Sequence, residues 1–370
     1  MKNINMIKNS RPTAKFKLRG FSLVEILVGL IIGLLATMVI MSVFADFEGQ
    51  RRTTAGSSDT QTNGSIALFN LQRDIQMAGF GIPMPMADPQ DSSLKCNPLP
   101  EFDPDGNAAT DNEIGFFPIE IIDAGDDTSD IIKVRYSMSA AGAIPVRRLG
   151  GPYTAYVLEN NLGCSVGDVA LVSNGAACFM TLVESVSADN ATLGVDPEPP
   201  AAPTKVACMG DWQEYAYRID NNQLIRQVRK PDELADEAIV DNVVALQAQY
   251  GVSASPDSNR VVEWTNAVGI WSSASLDADV TLRNRIKAVR VAVVARSGLR
   301  EKAEVTQECE TFQGIDNNGP CAWDDQGYQA APKIDLAPLY AEADEWKHYR
   351  YRSFETIIPL RNMLWSKGAL

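Results

Sequence analysis

Residues 21–44 form an apolar run, from Phe21 to Phe44, broken by one charge, Glu25. The chain then turns polar through "ADFEGQRRTTAGSSDTQTNGS" and becomes amphipathic, with Leu68, Leu71, Ile75 and Ala78 recurring at helical spacing. No proline falls between Pro12 and Pro83, so nothing in the covalent chain forbids one long helix. From Phe21 to about Gly79 such a helix would measure roughly 90 Å at the usual rise. Gly49, Gly56 and Gly64 weaken its middle, each by up to about 1 kcal/mol relative to alanine. Bending or local melting is expected there.

Beyond Gly81 the pattern changes to short apolar runs separated by Pro, Gly and Asp. "EIGFFPIEII" (113–122), "DIIKVRYSM" (130–138), "TAYVL" (154–158), "DVALVS" (168–173) and "CFMTLVESV" (178–186) read as strands. So do "EYAYRI" (214–219) and "QLIRQVR" (223–229), around a turn at Asp220-Asn221-Asn222. In "VVALQAQYG" the residues Val244, Leu246, Ala248 and Tyr250 alternate with Ala245, Gln247 and Gln249, which predicts a half-buried strand. "IKAVRVAVVARS" (286–297) predicts a central strand entered from a short helix around 277–285, and "YRYRSFETIIPLRN" (349–362) an edge strand near Pro359. With no βαβ rhythm, the fold class is α+β: antiparallel sheets packed on one long N-terminal helix.

Charge and length decide what the apolar run is. Residues 1–20 hold six basic side chains (Lys2, Lys8, Arg11, Lys15, Lys17, Arg19) and no acid, and without them the net charge moves from −14 to −20. A secretory signal has an apolar region of about 7–15 residues ending in a small-residue cleavage site. This run is longer and lacks such a site, so it predicts a membrane-spanning helix. Its basic flank keeps residues 1–20 cytoplasmic and sends the rest outward. The acidic surplus argues against a nucleic-acid partner.

A carboxylate inside a membrane helix is costly and ordinarily marks function or a partner. The plainer alternative is a Glu25 close enough to the interface to reach the headgroups. Gly29 and Gly33, four apart, permit close helix packing in lipid, or stand there by the chance frequency of glycine in such helices.

All six cysteines (Cys96, Cys164, Cys178, Cys208, Cys309, Cys321) lie on the outward part and fit disulfides in an oxidising compartment. The preferred pairs are Cys309–Cys321, across "CETFQGIDNNGPC", and Cys164–Cys178 as a hairpin closure, with Cys96–Cys208 left by elimination. Six cysteines allow fifteen connectivities, and the choice stays open.

The N-terminal residues carry a resemblance. "RGFSLVEILVGLIIGLL" resembles the start of type IV prepilins and type II secretion pseudopilins: a basic leader ending in Gly, then Phe-Ser-Leu-x-Glu and an apolar helix. The resemblance implies that a prepilin peptidase cuts after Gly20 and that the new N-terminus, Phe21, is methylated. It implies that Glu25 meets the free amine of a neighbouring subunit as the filament is built. "VVALQAQYGV", "IKAVRVAVVARS" and "YRYRSFETIIPLRN" look like the PilW group of minor pilins, which is similar to the J-type pseudopilin of type II secretion.

The implied organisation is a removed leader (1–20), a transmembrane half-helix (21–44), an amphipathic half-helix (45–80) and a β-rich periplasmic pilin domain (81–370). The implied setting is the bacterial inner membrane and then the pilus. The implied partners are other minor and major pilins, prepilin peptidase and the inner-membrane assembly platform. The implied role is a minor pilin in a priming or tip complex, with a J-type pseudopilin as the alternative.

Catalytic readings find little support. The single histidine, His348, offers one imidazole, and no nucleophile elbow, Walker loop or His-Glu-x-x-His occurs. A membrane-anchored periplasmic enzyme or binding protein is the reading of another class, and it has no use for Gly20-Phe21 or Glu25. No cofactor or metal is expected, although "EFDPDGNAATDNE" (101–113) gathers oxygen donors that suit either a solvated turn or Ca²⁺. "KHYRYRS" places His348, Arg350 and Arg352 on one face of an expected strand, more in keeping with a solvated face than with a DNA-binding ribbon.

Overall fold

The computed structural model describes residues 20–83, 96, 98–102, 114–125, 128–139, 143–152, 155–174, 177–187, 192–196, 204–230, 233–312, 314, 316–323, 331–342 and 344–365. The leader and the acidic 103–113 segment lie outside them. The chain divides after Thr54 into an N-terminal unit and a second unit from Ala55 to Leu370.

Helix α1 spans Leu23–Met77 without a break, so the expected melting at Gly49, Gly56 and Gly64 does not occur. Two of these glycines are buried, and their missing side chains have a packing cause. A Cβ on Gly56 would meet the Cβ of Ser297 at 3.2 Å, and one on Gly64 would overlap the Phe354 ring. α1 ends where Gly79 takes φ +77° and its amide bonds the Arg135 carbonyl. The last carbonyls of the helix, at Gln76, Met77 and Ala78, accept from the Asn362 side-chain amide at 3.2–3.4 Å.

Short strands β1 (Glu101–Phe102) and β2 (Ile114–Gly115) follow, then β3 (Ile119–Ile122) and β4 (Ile131–Ser137). Next come β5 (Val146–Gly150), β6 (Ala155–Leu158), β7 (Val169–Ser173), β8 (Cys178–Val186), β9 (Thr192–Asp196) and β10 (Lys205–Gly210). β11 (Trp212–Asp220), β12 (Gln223–Lys230) and β13 (Glu233–Asp241) form a meander, and β14 (Val243–Ser253) and β15 (Val261–Thr265) lead to short helices α2 (Ser273–Ala278) and α3 (Val280–Arg283). The chain finishes with β16 (Ile286–Arg296), the two-residue β17 (Cys309–Glu310) and β18 (Asp316–Asn317), then β19 (Tyr351–Pro359) and α4 (Arg361–Trp365). Among the described residues the strands named pair antiparallel, and the fold is α+β.

Strands β13-β12-β11-β4-β3 make a five-stranded sheet and β15-β14-β16-β19 a four-stranded one. The turn between β11 and β12 has positive φ at Asn221 and Asn222 (49° and 60°), the left-handed pair that a two-residue hairpin needs. Ala67, Leu71 and Ile75 of α1, with Ala78 just past its end, share one core with both sheets. β14 is buried along its whole length, not on one face. Val244 of β14 and Ala292 and Val294 of its neighbour β16 pack with Ile334, Leu336 and Trp346, so the segment after β18 forms a second cover. Gln247 and Gln249 of β14 are also buried and hydrogen-bonded, to the Thr128 carbonyl and to Asn266. His348 belongs to a 3₁₀ turn, Glu345–His348, so the expected one-faced strand of His348, Arg350 and Arg352 is not formed.

Strands β10-β5-β6-β9-β8-β7 close into a barrel that the sequence pattern did not announce. It is inserted between β4 and β11, which are hydrogen-bonded neighbours: Ser137 faces Trp212, and the Met138 amide bonds the Asp211 carbonyl at 3.1 Å. Gly210 turns the chain back at φ +76°, where a Cβ would come within 2.8 Å of the Ser139 Cα. The barrel has its own interior of Tyr156, Leu158, Ala170, Val172, Val183 and Val206. Leu171, Met180 and Met209 point the other way into the main core.

Disulfides join Cys309 to Cys321, Cys96 to Cys178 and Cys164 to Cys208. The expected Cys164–Cys178 and Cys96–Cys208 pairs are therefore exchanged, and the barrel register gives the reason. Cys178 opens β8 opposite Ser173, whereas Asp168, four residues after Cys164, bonds Val183 further along β8. Cys164 thus lies toward the far end of that hairpin, beside β10.

Candidate functional site

The residues singled out at the N-terminus occupy the start of α1. Gly20 and Phe21 precede the helix, with Phe21 81% exposed, and every residue from Phe21 to Phe44 is exposed. Among the described residues this is one helix long and apolar enough to cross a membrane. Leu23 begins the helix, which puts Ser22 at the cap and Glu25 at the third helical position.

Glu25 Oε2 accepts the Ser22 backbone amide at 3.3 Å. This is the carboxylate half of a capping box, and it sets a negative charge against the positive end of the helix dipole. The second oxygen, Oε1, has no partner among the described residues. A carboxylate in the apolar run thus has a local role before any neighbour is considered. Gly29 and Gly33 each have nothing within 4 Å of a built Cβ, so the helix surface there is open.

At the other end of α1 the structure assembles a polar cluster that the sequence reading missed. Asp74 is 3% exposed, between Leu71 and Ala78 on the apolar stripe. Its Oδ2 accepts the Tyr217 hydroxyl at 2.6 Å and Arg226 at 3.1 Å, and its Oδ1 accepts Arg73 at 2.7 Å. Arg226 also reaches Glu237 at 2.5 Å. Burial, and then the Asp74 charge, push the Tyr217 hydroxyl well above its ordinary range. Burial alone would lower Arg226, but Glu237, Tyr217 and Asp74 outweigh it and hold the guanidinium charged. The signal available in the sequence was an acid three residues after Leu71, on the face expected to be buried.

A second buried set lies under the five-stranded sheet. Arg135 bonds Glu214 at 2.5 Å and Glu120 at 2.8 Å, and Ser273 donates to Glu120 at 2.7 Å. Burial would raise Glu120, but Arg135 and Lys133 overcome it and hold the carboxyl below its usual range. These charges neutralise one another, and Ser273 ties the sheet to the start of α2. Among the described residues no group of three His, Cys, Asp or Glu side chains is placed to hold a metal ion.

Residues 214–362 match the family described as Type IV Pilus-assembly protein W. The match starts in β11, after the inserted barrel, and ends in α4, so it includes Phe354, which meets Gly64, and Asn362, which bonds the last carbonyls at the end of α1. Over those residues the chain is PilW-like, as the three late stretches suggested. No curated protein matches the chain. A solved type IV-like pilin from Thermus thermophilus is similar at 9% identity, with 81% of this chain and 95% of that one covered and a TM-score of 0.32.

Proposed function

We propose that this chain is a minor pilin of a type IV pilus. A membrane peptidase removes residues 1–20 after Gly20, and the first half of α1 anchors the product in the inner membrane. The β-rich part is then periplasmic, and the protein enters the filament within a priming or tip complex. The observation that carries this reading is the PilW match over residues 214–362. The exposed apolar helix with a carboxylate at its third position supports it.

The setting of Glu25 supports this reading. One carboxylate oxygen fixes the helix start and the other remains for a cation. The amine of a neighbouring subunit, created by cleavage before Phe21, is a cation of the right kind. Pairing spares both charges an uncompensated place in lipid.

The test separates processing from assembly. Mass spectrometry of the wild type should find Phe21 at the N-terminus, and Glu25→Ala should be cleaved and remain in the membrane. Glu25→Ala and Glu25→Gln should both be depleted from sheared filaments, since Gln keeps the shape but not the charge. Wild-type protein that retains Met1 to Gly20 overturns the assignment. Normal entry of Glu25→Ala into filaments would remove Glu25 from it.

A further inference from the structure

The "KHYRYRS" motif is left without a role by the pilin reading, and the structure gives its arginines a setting. β19 runs beside α1. Phe354 packs against Gly64, and the preceding residues of the same parity, Arg352 and Arg350, come beside Thr60 and Ser57, one and two turns earlier on the helix. Past the Phe354 contact the helix and strand leave a groove of about 250 Å³, lined by Ser57, Thr60, Val305, Thr306, Arg350, Tyr351 and Arg352.

No carboxylate lines this groove, in a chain whose net charge is −14. The Thr60 and Thr306 hydroxyls already donate, to the Gly56 carbonyl at 2.7 Å and the Tyr349 carbonyl at 2.5 Å. The two guanidinium groups therefore dominate what the groove offers. Arg350 shares its charge with Glu301 at 3.2 Å. Arg352 lies over the Phe354 ring, 5.7 Å from its centre, and no ion pair among the described residues engages it. A planar guanidinium backed by a ring and open to solvent is suited to a carboxylate.

We propose that this groove docks an aspartate- or glutamate-bearing segment of an adjacent pilus subunit, with Arg352 and Arg350 taking its carboxylate. The proposal rests on the pilin reading above. Because this chain as a whole is acidic, a local cationic groove is where it attracts an acidic segment, and that contact sets the register in which the subunits meet. Its volume suits one or two side chains. A nucleic acid is a poorer occupant, since a phosphate backbone needs a continuous cationic track.

The test places a photoreactive benzoylphenylalanine at Ser57 in the full chain and irradiates sheared filaments. The expected product joins this chain to another pilus subunit through a peptide containing Asp or Glu. Arg350→Glu with Arg352→Glu should lower that crosslink on the order of tenfold while membrane levels of the protein hold. Arg352→Lys, which keeps the charge, should retain most of it. A crosslinked peptide without an acid, a yield indifferent to charge reversal, or a nucleic-acid adduct overturns the proposal. Absence of the wild-type protein from filaments is a different failure: it removes the pilin reading and the docking site with it.

Discussion

Gly64 and Phe354 form a contact in which the helix supplies no side chain so that the strand can supply a ring: a Cβ at 64 would overlap Phe354. The relation reverses the ordinary effect of glycine in a helix. Gly64→Ala should gain helix propensity of about 1 kcal/mol and still destabilise, because overpacking a filled site costs about 1–3 kcal/mol. Gly49→Ala, where nothing lies within 4 Å, should not destabilise. Thermal melts of both variants in detergent, followed by near-UV circular dichroism, check the pair. A Gly64→Ala protein as stable as wild type would mean that β19 yields to the new methyl.

The same position shows what the sequence could and could not convey. The long helix, its stripe at Leu71, Ile75 and Ala78, and the hairpin around Asn221-Asn222 were legible because each signal is local and periodic. That Gly64 marks a close approach was not, because its partner lies far along the chain at Phe354. β13, "ELADEAIVD", escaped notice because an exposed edge strand needs no apolar alternation, and its acids suit an edge. The burial of both faces of β14 depends on a cover from Ile334, Leu336 and Trp346 that has no period of its own. At the candidate site, Gly20, Phe21 and Glu25 could be named from the sequence, whereas Asp74 needed Tyr217 and Arg226 beside it. The Ser22-x-x-Glu25 spacing of a capping box is present in the sequence, but inside an apolar run the cost of a buried charge draws attention first.

Asp74 should be among the more sensitive positions of α1. Asp74→Ala leaves the buried end of Arg226 and the Tyr217 hydroxyl without their acceptor, a loss of about 3–5 kcal/mol when one partner of a buried charged set is removed. Asp74→Asn keeps one acceptor oxygen and should lose less. Denaturant titration of the two variants checks the order. Equal losses would show that the hydrogen bond to Tyr217 contributes nothing beyond the charge.

The disulfides should differ in weight. Cys96–Cys178 closes a separation of 82 residues and Cys309–Cys321 one of 12. The chain-entropy relation gives about 4.5 kcal/mol for the first and about 3 kcal/mol for the second. Non-reducing peptide mapping should recover both pairs together with Cys164–Cys208. Replacing Cys96 and Cys178 by alanine should lower the melting temperature more than replacing Cys309 and Cys321. Recovery of a Cys164–Cys178 peptide would contradict the barrel register.

The last prediction concerns pH and Asp130. β15 covers the edge of β14 only at Tyr250–Ser253, so the amides of Leu246 and Ala248 on that edge need other acceptors. The Ser129 hydroxyl takes the first at 3.1 Å and Asp130 Oδ2 takes the second at 2.7 Å. Asp130 also accepts the Ala124 amide at 3.4 Å and is 1% exposed. Burial is the largest influence on it, with the nearby Asp123 charge adding to the rise and the two amides opposing it. The net result raises the carboxyl from 3.8 to about 7. Between those values the folded chain holds a proton that the unfolded chain has released. Asp130 therefore favours folding fully at low pH and progressively less as pH rises through about 7, with a slope of at most about 1.4 kcal/mol per pH unit. Asp130→Asn keeps an acceptor for Ala248 and cannot ionise. Its melting temperature should follow the wild type near pH 4 and exceed it at pH 8. The difference between the two profiles, measured from pH 4 to 8, isolates this group from Glu120, whose lowered value bends stability the opposite way. Parallel profiles across that range would show that Asp130 stays ionised in the folded chain, its burial cost met by the backbone amides alone.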